Sequence, residues 1–191
     1  MHQYSNDLIN KINTDISNGF SHLFPITSDM KKTFEGVSRL VMLDRYTQKD
    51  LSLDTLSEGD LVITIVKNDP KFPSRGIGYV LSRENDNITI KLEEDFLGAA
   101  EDADSNGCIV RTLRQVDKPL ELYFEQIAMR LAYHLGEDVS DETIQDFYNE
   151  VASLNLVPAG RVLFGAGSNT NVTYFNCFVM PHMHDSRGGI S

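Results

Sequence analysis

The chain is short of cysteine, of positive charge and of long apolar runs. Its two cysteines, Cys108 and Cys177, stand 69 positions apart in 191 residues. That spacing makes neither a disulfide framework nor a zinc site. Lys and Arg number 17 against 28 Asp and Glu, a net charge of −11. A nucleic-acid binder needs a basic patch for phosphates, so this balance argues against that class. No apolar run approaches the roughly 20 residues that span a bilayer, and the first residues show no basic-then-apolar signal pattern. The expectation is a cytoplasmic chain with reduced thiols and no membrane partner. A hydrophobic content of 41% with 24% charged residues suits an ordinary globular core.

Charge is also missing locally. Residues 151–191 carry one acidic and two basic side chains, whereas residues 93–150 carry fifteen acidic and four basic. This end is rich in Gly, Asn, Ser and Thr, so it reads as a polar surface to be buried against a ligand or another part of a protein. Gly165-Ala-Gly167-Ser168 allows a sharp turn or a close backbone approach. No Gly-Lys-Ser/Thr follows, so it is not a Walker loop. An ordinary turn and a phosphate cradle both remain open. Thr173-Tyr-Phe-Asn-Cys-Phe-Val-Met180 reads as a buried strand, on which Cys177 is by residue type alone an inert core residue.

Upstream, Leu8, Ile12 and Ile16 predict a helix over 4–18, packed in the local core or on a partner. The runs beginning at Val37, Leu61, Gly76 and Asn87 predict short strands separated by turn residues, as in a small antiparallel barrel or sandwich. Asp44-Arg-Tyr-Thr-Gln-Lys-Asp50 reads as a solvated connector between strands. Asp102, Asp104 and Asn106 alternate like calcium ligands, but Leu113 occupies the place of the bidentate Glu, so an acidic linker is expected. Cys108 lies on a further short strand. From Lys118 the period turns helical, with Pro119 in the first turn and Gly136 at the end. Ser140 is the expected N-cap of a second helix, with Asp141 and Glu142 in its first turn. The fold class is therefore α+β. An N-terminal β-rich unit over 1–116 precedes a helix pair and a Gly-rich, Cys-bearing segment over 117–191.

Pro158-Ala-Gly-Arg-Val-Leu-Phe-Gly-Ala-Gly-Ser168, then Asn176-Cys177-Phe, then Asp185-Ser186, resembles the start of the catalytic core of ribonucleotide reductase large subunits. The likeness is greatest to the adenosylcobalamin-dependent class. It is close over about residues 155–190 and looser over the two helices and Asp44–Asp50. Ala159 and Ser168 stand where that family more often has Gly and Thr. The resemblance implies that the segment after the helices begins an α/β barrel. It implies that Cys177 is one of two thiols that reduce the substrate ribose, after a thiyl radical elsewhere has taken the 3′-hydrogen. Gly167, Ser168 and Asn176 match positions around the ribonucleotide. Asp185 and Ser186 match the start of an effector site for a dNTP or ATP. Adenosylcobalamin would make the radical, and a thioredoxin- or glutaredoxin-type protein would re-reduce the thiols.

The remaining cysteines of such an enzyme are not in this sequence. The expectation is the N-terminal part of a split or truncated reductase, inactive alone and completed by a larger polypeptide. A non-enzymatic protein-binding or regulatory module is the competing reading. His182-x-His184-Asp185 also invites a metal reading, which lacks a second ligand cluster.

Overall fold

The computed structural model describes residues 4–175 and 177, apart from 32, 70 and 72. It is an α+β fold with one open, six-stranded antiparallel sheet and several helices. Helix α1 (Asn6–Gly19) starts where Ser5 Oγ accepts the Leu8 amide at 3.3 Å, and it buries Leu8, Ile12 and Ile16. These three side chains belong to the local core.

The run at Val37–Leu43, expected as a strand, is helix α2 (Gly36–Arg45). Its buried residues are Arg39, Met42 and Leu43, spaced three and four apart on one helical face. Val37 faces solvent, 70% exposed, so the β-branched residues that suggested a strand take no part in the packing. Tertiary burial of the Arg39–Leu43 stripe overrides local propensity here.

The strands are β1 (Lys49–Asp50), β2 (Leu61–Lys67), β3 (Ser74–Glu84), β4 (Asn87–Leu92), β5 (Cys108–Thr112) and β6 (Val116–Pro119). They lie in the order β1-β6-β2-β3-β4-β5. Strand β2 is apolar apart from Thr64 and Lys67, because both its faces are covered. Leu61 and Ile63 join one core with α1, while Val62 and Val66 join a second with Val80, Ile88 and Ile90. The sheet curls strongly: Arg111 of β5 donates from Nε to the Ile65 carbonyl of β2 at 2.6 Å, across the two intervening strands. Gly78 permits this curvature, since a Cβ there would lie 2.6 Å from both the Ile90 side chain and the Lys91 carbonyl oxygen.

Lys118 and Pro119, expected to open a helix, belong to β6, which lies between β1 and β2. Lys118 is fully buried there, its Nζ 2.7 Å from Asp15 and 3.2 Å from Asp60. The expected boundary after residue 116 thus falls inside a strand. Helix α3 (Phe124–Leu135) begins later than expected, and α4 (Asp141–Ala152) follows with Ser140 Oγ capping the Thr143 amide. Helix α5 (Gly160–Gly165) closes the described fold. One core joins Ile12, Leu43, Ile63, Ile127, Leu131, Val151 and Leu163, from both sides of residue 116.

The supposed connector Asp44–Asp50 is instead a structural knot. Asp44 pairs with Arg75 at 2.6 Å and with Lys49 at 3.5 Å, and Arg75 also pairs with Asp117. Asp50 is buried and accepts from Ser52 Oγ at 2.7 Å and Thr55 Oγ1 at 2.8 Å. Burial alone would raise its pKa, but these bonds outweigh it and hold the carboxyl below its ordinary value. Asp117 behaves alike: burial pushes upward, and Lys49 and Arg75 pull it below the usual range.

A folded pKa below the unfolded one stabilises the fold above the unfolded value of about 4, and that contribution is lost as pH falls through the folded value. Urea unfolding midpoints should therefore drop as pH goes from about 4 toward 2. Asp50→Asn should lower the midpoint at neutral pH and flatten the acid limb. An unchanged acid limb in that variant would remove Asp50 from the account.

Candidate active site

The candidate segment is held from beneath by one residue that sequence reasoning overlooked. Arg130 sits on α3 among Ile127, Ala128, Leu131 and Ala132, and is 1% exposed. Its signal was a single charge inside an otherwise apolar stretch. A buried charge of this kind needs a partner and a full set of acceptors. Arg130 has both. Nε donates to Glu121 Oε1 at 2.8 Å and Nη2 to Glu121 Oε2 at 3.1 Å, a two-point pair with a fully buried carboxylate. Nη2 also donates to the carbonyls of Tyr46 and Leu163, each at 3.1 Å. Nη1 donates to the Phe164 carbonyl at 3.4 Å and to that of Ala166.

Three of those acceptors are the last carbonyls of α5 and the residue after it, which have no partners within the helix itself. Arg130 is their cap, in the position where a cation also meets the negative end of the helix dipole. Gln48 completes the arrangement. Its amide donates to Glu121 Oε2 and its side chain to the Phe164 carbonyl, both at 2.8 Å.

Gly167 then turns the chain over α3 with φ of +70°. A Cβ at this position would lie 2.6 Å from Arg130 Cγ and 3.0 Å from the Arg130 carbonyl oxygen. Gly165 is equally tight, because its Cβ would strike the Val172 side chain. The glycines thus permit close packing on α3, which is the turn reading of the Gly-Ala-Gly run. Gly167→Ala combines a left-handed backbone with that clash, so a loss of roughly 2–3 kcal/mol is expected. Thermal unfolding checks this, and a melting temperature within a degree of the parent would contradict it.

Ser168 follows with its Oγ donating to the Gly165 carbonyl at 2.9 Å and lying 2.6 Å from Thr170 Oγ1. Its hydroxyl is therefore engaged within the turn. Asn169 Nδ2 lies 3.1 Å from His22 Nδ1. Burial lowers the His22 pKa, which favours the neutral ring able to accept that bond. Tyr174 Oη lies 3.2 Å from His134 Nε2, and Arg161 Nη1 donates to the Phe175 carbonyl at 2.8 Å. Three side chains from separate parts of the fold thus hold the segment that leads to Cys177.

The described part of that segment does not form the buried strand expected over 173–180. Residues 173–175 and 177 form no strand, and Phe175 is 73% exposed. No described strand runs beside them to take their backbone hydrogen bonds, so their apolar side chains face outward. Cys177 is a free, exposed thiol, which removes the inert-core reading. Cys108, the other free cysteine, is half-buried on β5. Of the expected substrate positions, Gly167 and Ser168 share one turn, whereas Asn176 lies outside the described residues. Asp185 and Ser186, the expected effector positions, also lie outside them, as does His182-x-His184.

The acidic loop holds its own acids. Asp104 Oδ1 accepts the amides of Asn106 and Cys108 at 2.8 Å each, and Asp102 pairs with Arg111 at 2.7 Å. Among the described residues no group of three His, Cys, Asp or Glu could hold a metal ion. No described helix is long and apolar enough to cross a membrane.

Helix α5 carries apolar surface on both flanks. Toward α2 lies a groove of about 290 Å³ lined by Val41, Met42, Phe124, Leu154, Val157 and Leu163. Toward the Cys177 segment lies a smaller one of about 230 Å³, lined by Arg161, Phe164, Val172 and Thr173. Leu154 sits just past α4 with φ of +63°, a left-handed position where glycine would be cheaper. Comparison with protein-family models, curated proteins and solved structures found no match for this chain.

Proposed function

We propose that this chain is the N-terminal part of a ribonucleotide reductase whose catalytic centre is completed by a second, larger polypeptide. The observation that carries the reading is Cys177, an exposed free thiol at the end of a charge-poor segment that Arg130, His22 and His134 hold against the fold. It joins the motif order Gly-Ala-Gly-Ser, Asn-Cys-Phe and Asp-Ser in the sequence. A thiol with this role must be reachable by substrate and by a second thiol, and exposure meets that need.

In the reaction, the ribose 2′-hydroxyl leaves as water and hydrogen takes its place at carbon. The two electrons come from Cys177 and a cysteine of the larger chain, which end as a disulfide. An external dithiol of the thioredoxin or glutaredoxin type then restores both thiols by exchange. Gly167, packed on α3, sets the turn that would carry Ser168 beside the ribonucleotide, and Asn176 would offer polar contact beside the thiol. Asp185 and Ser186 would receive the sugar of a dNTP or ATP effector.

Adenosylcobalamin would supply the initiating radical in this class. The described residues do not fit that cofactor. Adenosylcobalamin brings its own corrin-held cobalt and needs a broad cavity, and a depression of about 400 Å³ lined by Lys67, Asp102 and Arg111 is too small for it. The cofactor is therefore assigned to the larger polypeptide. Native mass measurement of the gently isolated protein tests the assembly. A stoichiometric larger chain with several cysteines is expected, and a lone chain of 21.5 kDa would contradict the reading.

A protein-binding or regulatory module is the second reading, favoured by the exposed grooves beside α5. In that case alkylating Cys177 leaves function unchanged.

A further inference from the structure

A second surface lies away from Cys177, where the end of α3 meets the start of α4. Ala132, Leu135, Gly136, Val139, Ile144 and Phe147 line an apolar groove of about 330 Å³. Leu135 is 45% exposed and Val139 49%, although each could have been polar at no cost to the core. Gly136 shapes its floor, since a Cβ there would lie 2.6 Å from the Ile144 side chain.

The rim is acidic, and its acids alternate with the lining residues: Glu137 and Asp138 precede Val139, and Asp141 and Glu142 precede Ile144. All four are exposed, as are Asp146 and Glu150 further along α4. No Lys or Arg occurs between Arg130 and Arg161. His134 Nδ1 lies 3.9 Å from a Glu137 carboxylate oxygen.

The α4 dipole explains Asp141 and Glu142, which lie in its first turn. It does not explain Glu137 and Asp138. These follow the C-terminus of α3, the end of a helix that disfavours negative charge. Two carboxylates placed against a helix dipole, beside unshielded apolar side chains, make a surface complementary to a cationic and apolar counterpart.

We propose that the α3–α4 groove docks a basic amphipathic helix of another polypeptide. Its apolar side chains, one turn apart, fill the space between Leu135, Val139 and Ile144, and its Lys or Arg side chains meet the acidic rim. A second copy of this chain is the poorer occupant, because it brings another net charge of −11 to an already acidic surface. The proposal does not depend on the reductase reading.

The test uses the full chain and three synthetic helices: one with leucines at i, i+3, i+4 and i+7 and lysines elsewhere, one with glutamates for the lysines, and one with serines for the leucines. The Leu/Lys helix is expected to bind and to slow amide exchange over 132–147, more weakly as salt rises. The Leu/Glu and Lys/Ser helices should bind at least about tenfold less tightly. Val139→Asp separates groove from charge. It adds a negative charge, so a purely electrostatic surface would bind tighter, whereas docking in the groove predicts a loss of about tenfold or more.

Glu137→Lys/Asp138→Lys should weaken binding likewise, and Leu135→Ser serves if either variant unfolds. Equal binding of the Leu/Lys and Leu/Glu helices would overturn the proposal. So would tighter binding by Val139→Asp, protection confined to the α2–α5 groove, or no binding at all. Dimerisation that protects 132–147 without any peptide would make a second copy the occupant and overturn it too.

Discussion

Cys177→Ser should leave the assembled complex intact and its ribonucleotide turnover at background. The substitution swaps sulfur for oxygen on an exposed side chain, so neither the core nor the Arg130 cap is disturbed. What disappears is redox capacity. A serine hydroxyl forms no disulfide and supplies no electrons. Cys108→Ser is the matched control, since that thiol is half-buried on β5 and has no part in the proposed chemistry. Native mass and a deoxyribonucleotide assay on both variants separate assembly from turnover. Retained turnover in Cys177→Ser would return Cys177 to the role of a surface residue, and lost assembly would make it an interface residue.

Arg130→Met should be the most damaging single change in the fold. It strands the Glu121 carboxylate at full burial with the Gln48 amide as its remaining donor, and leaves the Leu163 and Ala166 carbonyls without their cap. Breaking a buried pair from one side costs about 3–5 kcal/mol. For a chain of this size the melting temperature should fall by on the order of 10 °C. Arg130→Lys keeps the charge but offers a single point in place of the planar fork, so an intermediate loss is expected.

Adding Glu121→Leu to Arg130→Met removes the stranded charge, and the double variant should lose less than the two single variants summed. Amide exchange localises the effect: protection should fall first over 163–170. A uniform loss across the chain would show that Arg130 stabilises the core without holding the Gly-rich turn in particular.

These two residues mark how differently the fold and the site could be read from sequence. Helix α1 was plain, because Leu8, Ile12 and Ile16 are all drawn to one core by a stripe that nothing contradicts. Ser140 was plain for a local reason, since an N-cap depends only on the three residues that follow it. Helix α2 reads as a strand because Val37 and Val41 favour strands, whereas the positions that decide its packing are Arg39, Met42 and Leu43. Strand β6 reads as the opening of a helix because the apolar period of α3 extends back to Leu120, with Pro119 suited to a first turn. Lys118 tolerates burial through Asp15 and Asp60, which lie far away in sequence.

The same limit hid Arg130 and the knot at Asp44–Asp50. Charged residues read one at a time suggest solvent, and only the fold reveals which opposite charges meet them. The Gly-Ala-Gly run shows the converse. Its glycines were legible as a backbone requirement, and the structure supplies the neighbour, α3, that Gly167 approaches.

The most direct test of the central claim is a single turnover by the assembled complex with adenosylcobalamin and a ribonucleotide, but no external dithiol. Deoxyribonucleotide and oxidised Cys177 are quantified in the same quenched sample, the cysteine by differential alkylation and peptide mass. The account predicts one disulfide linking Cys177 to a cysteine of the larger chain for each deoxyribonucleotide formed. Deoxyribonucleotide formed in that amount while Cys177 stays fully reduced would contradict it.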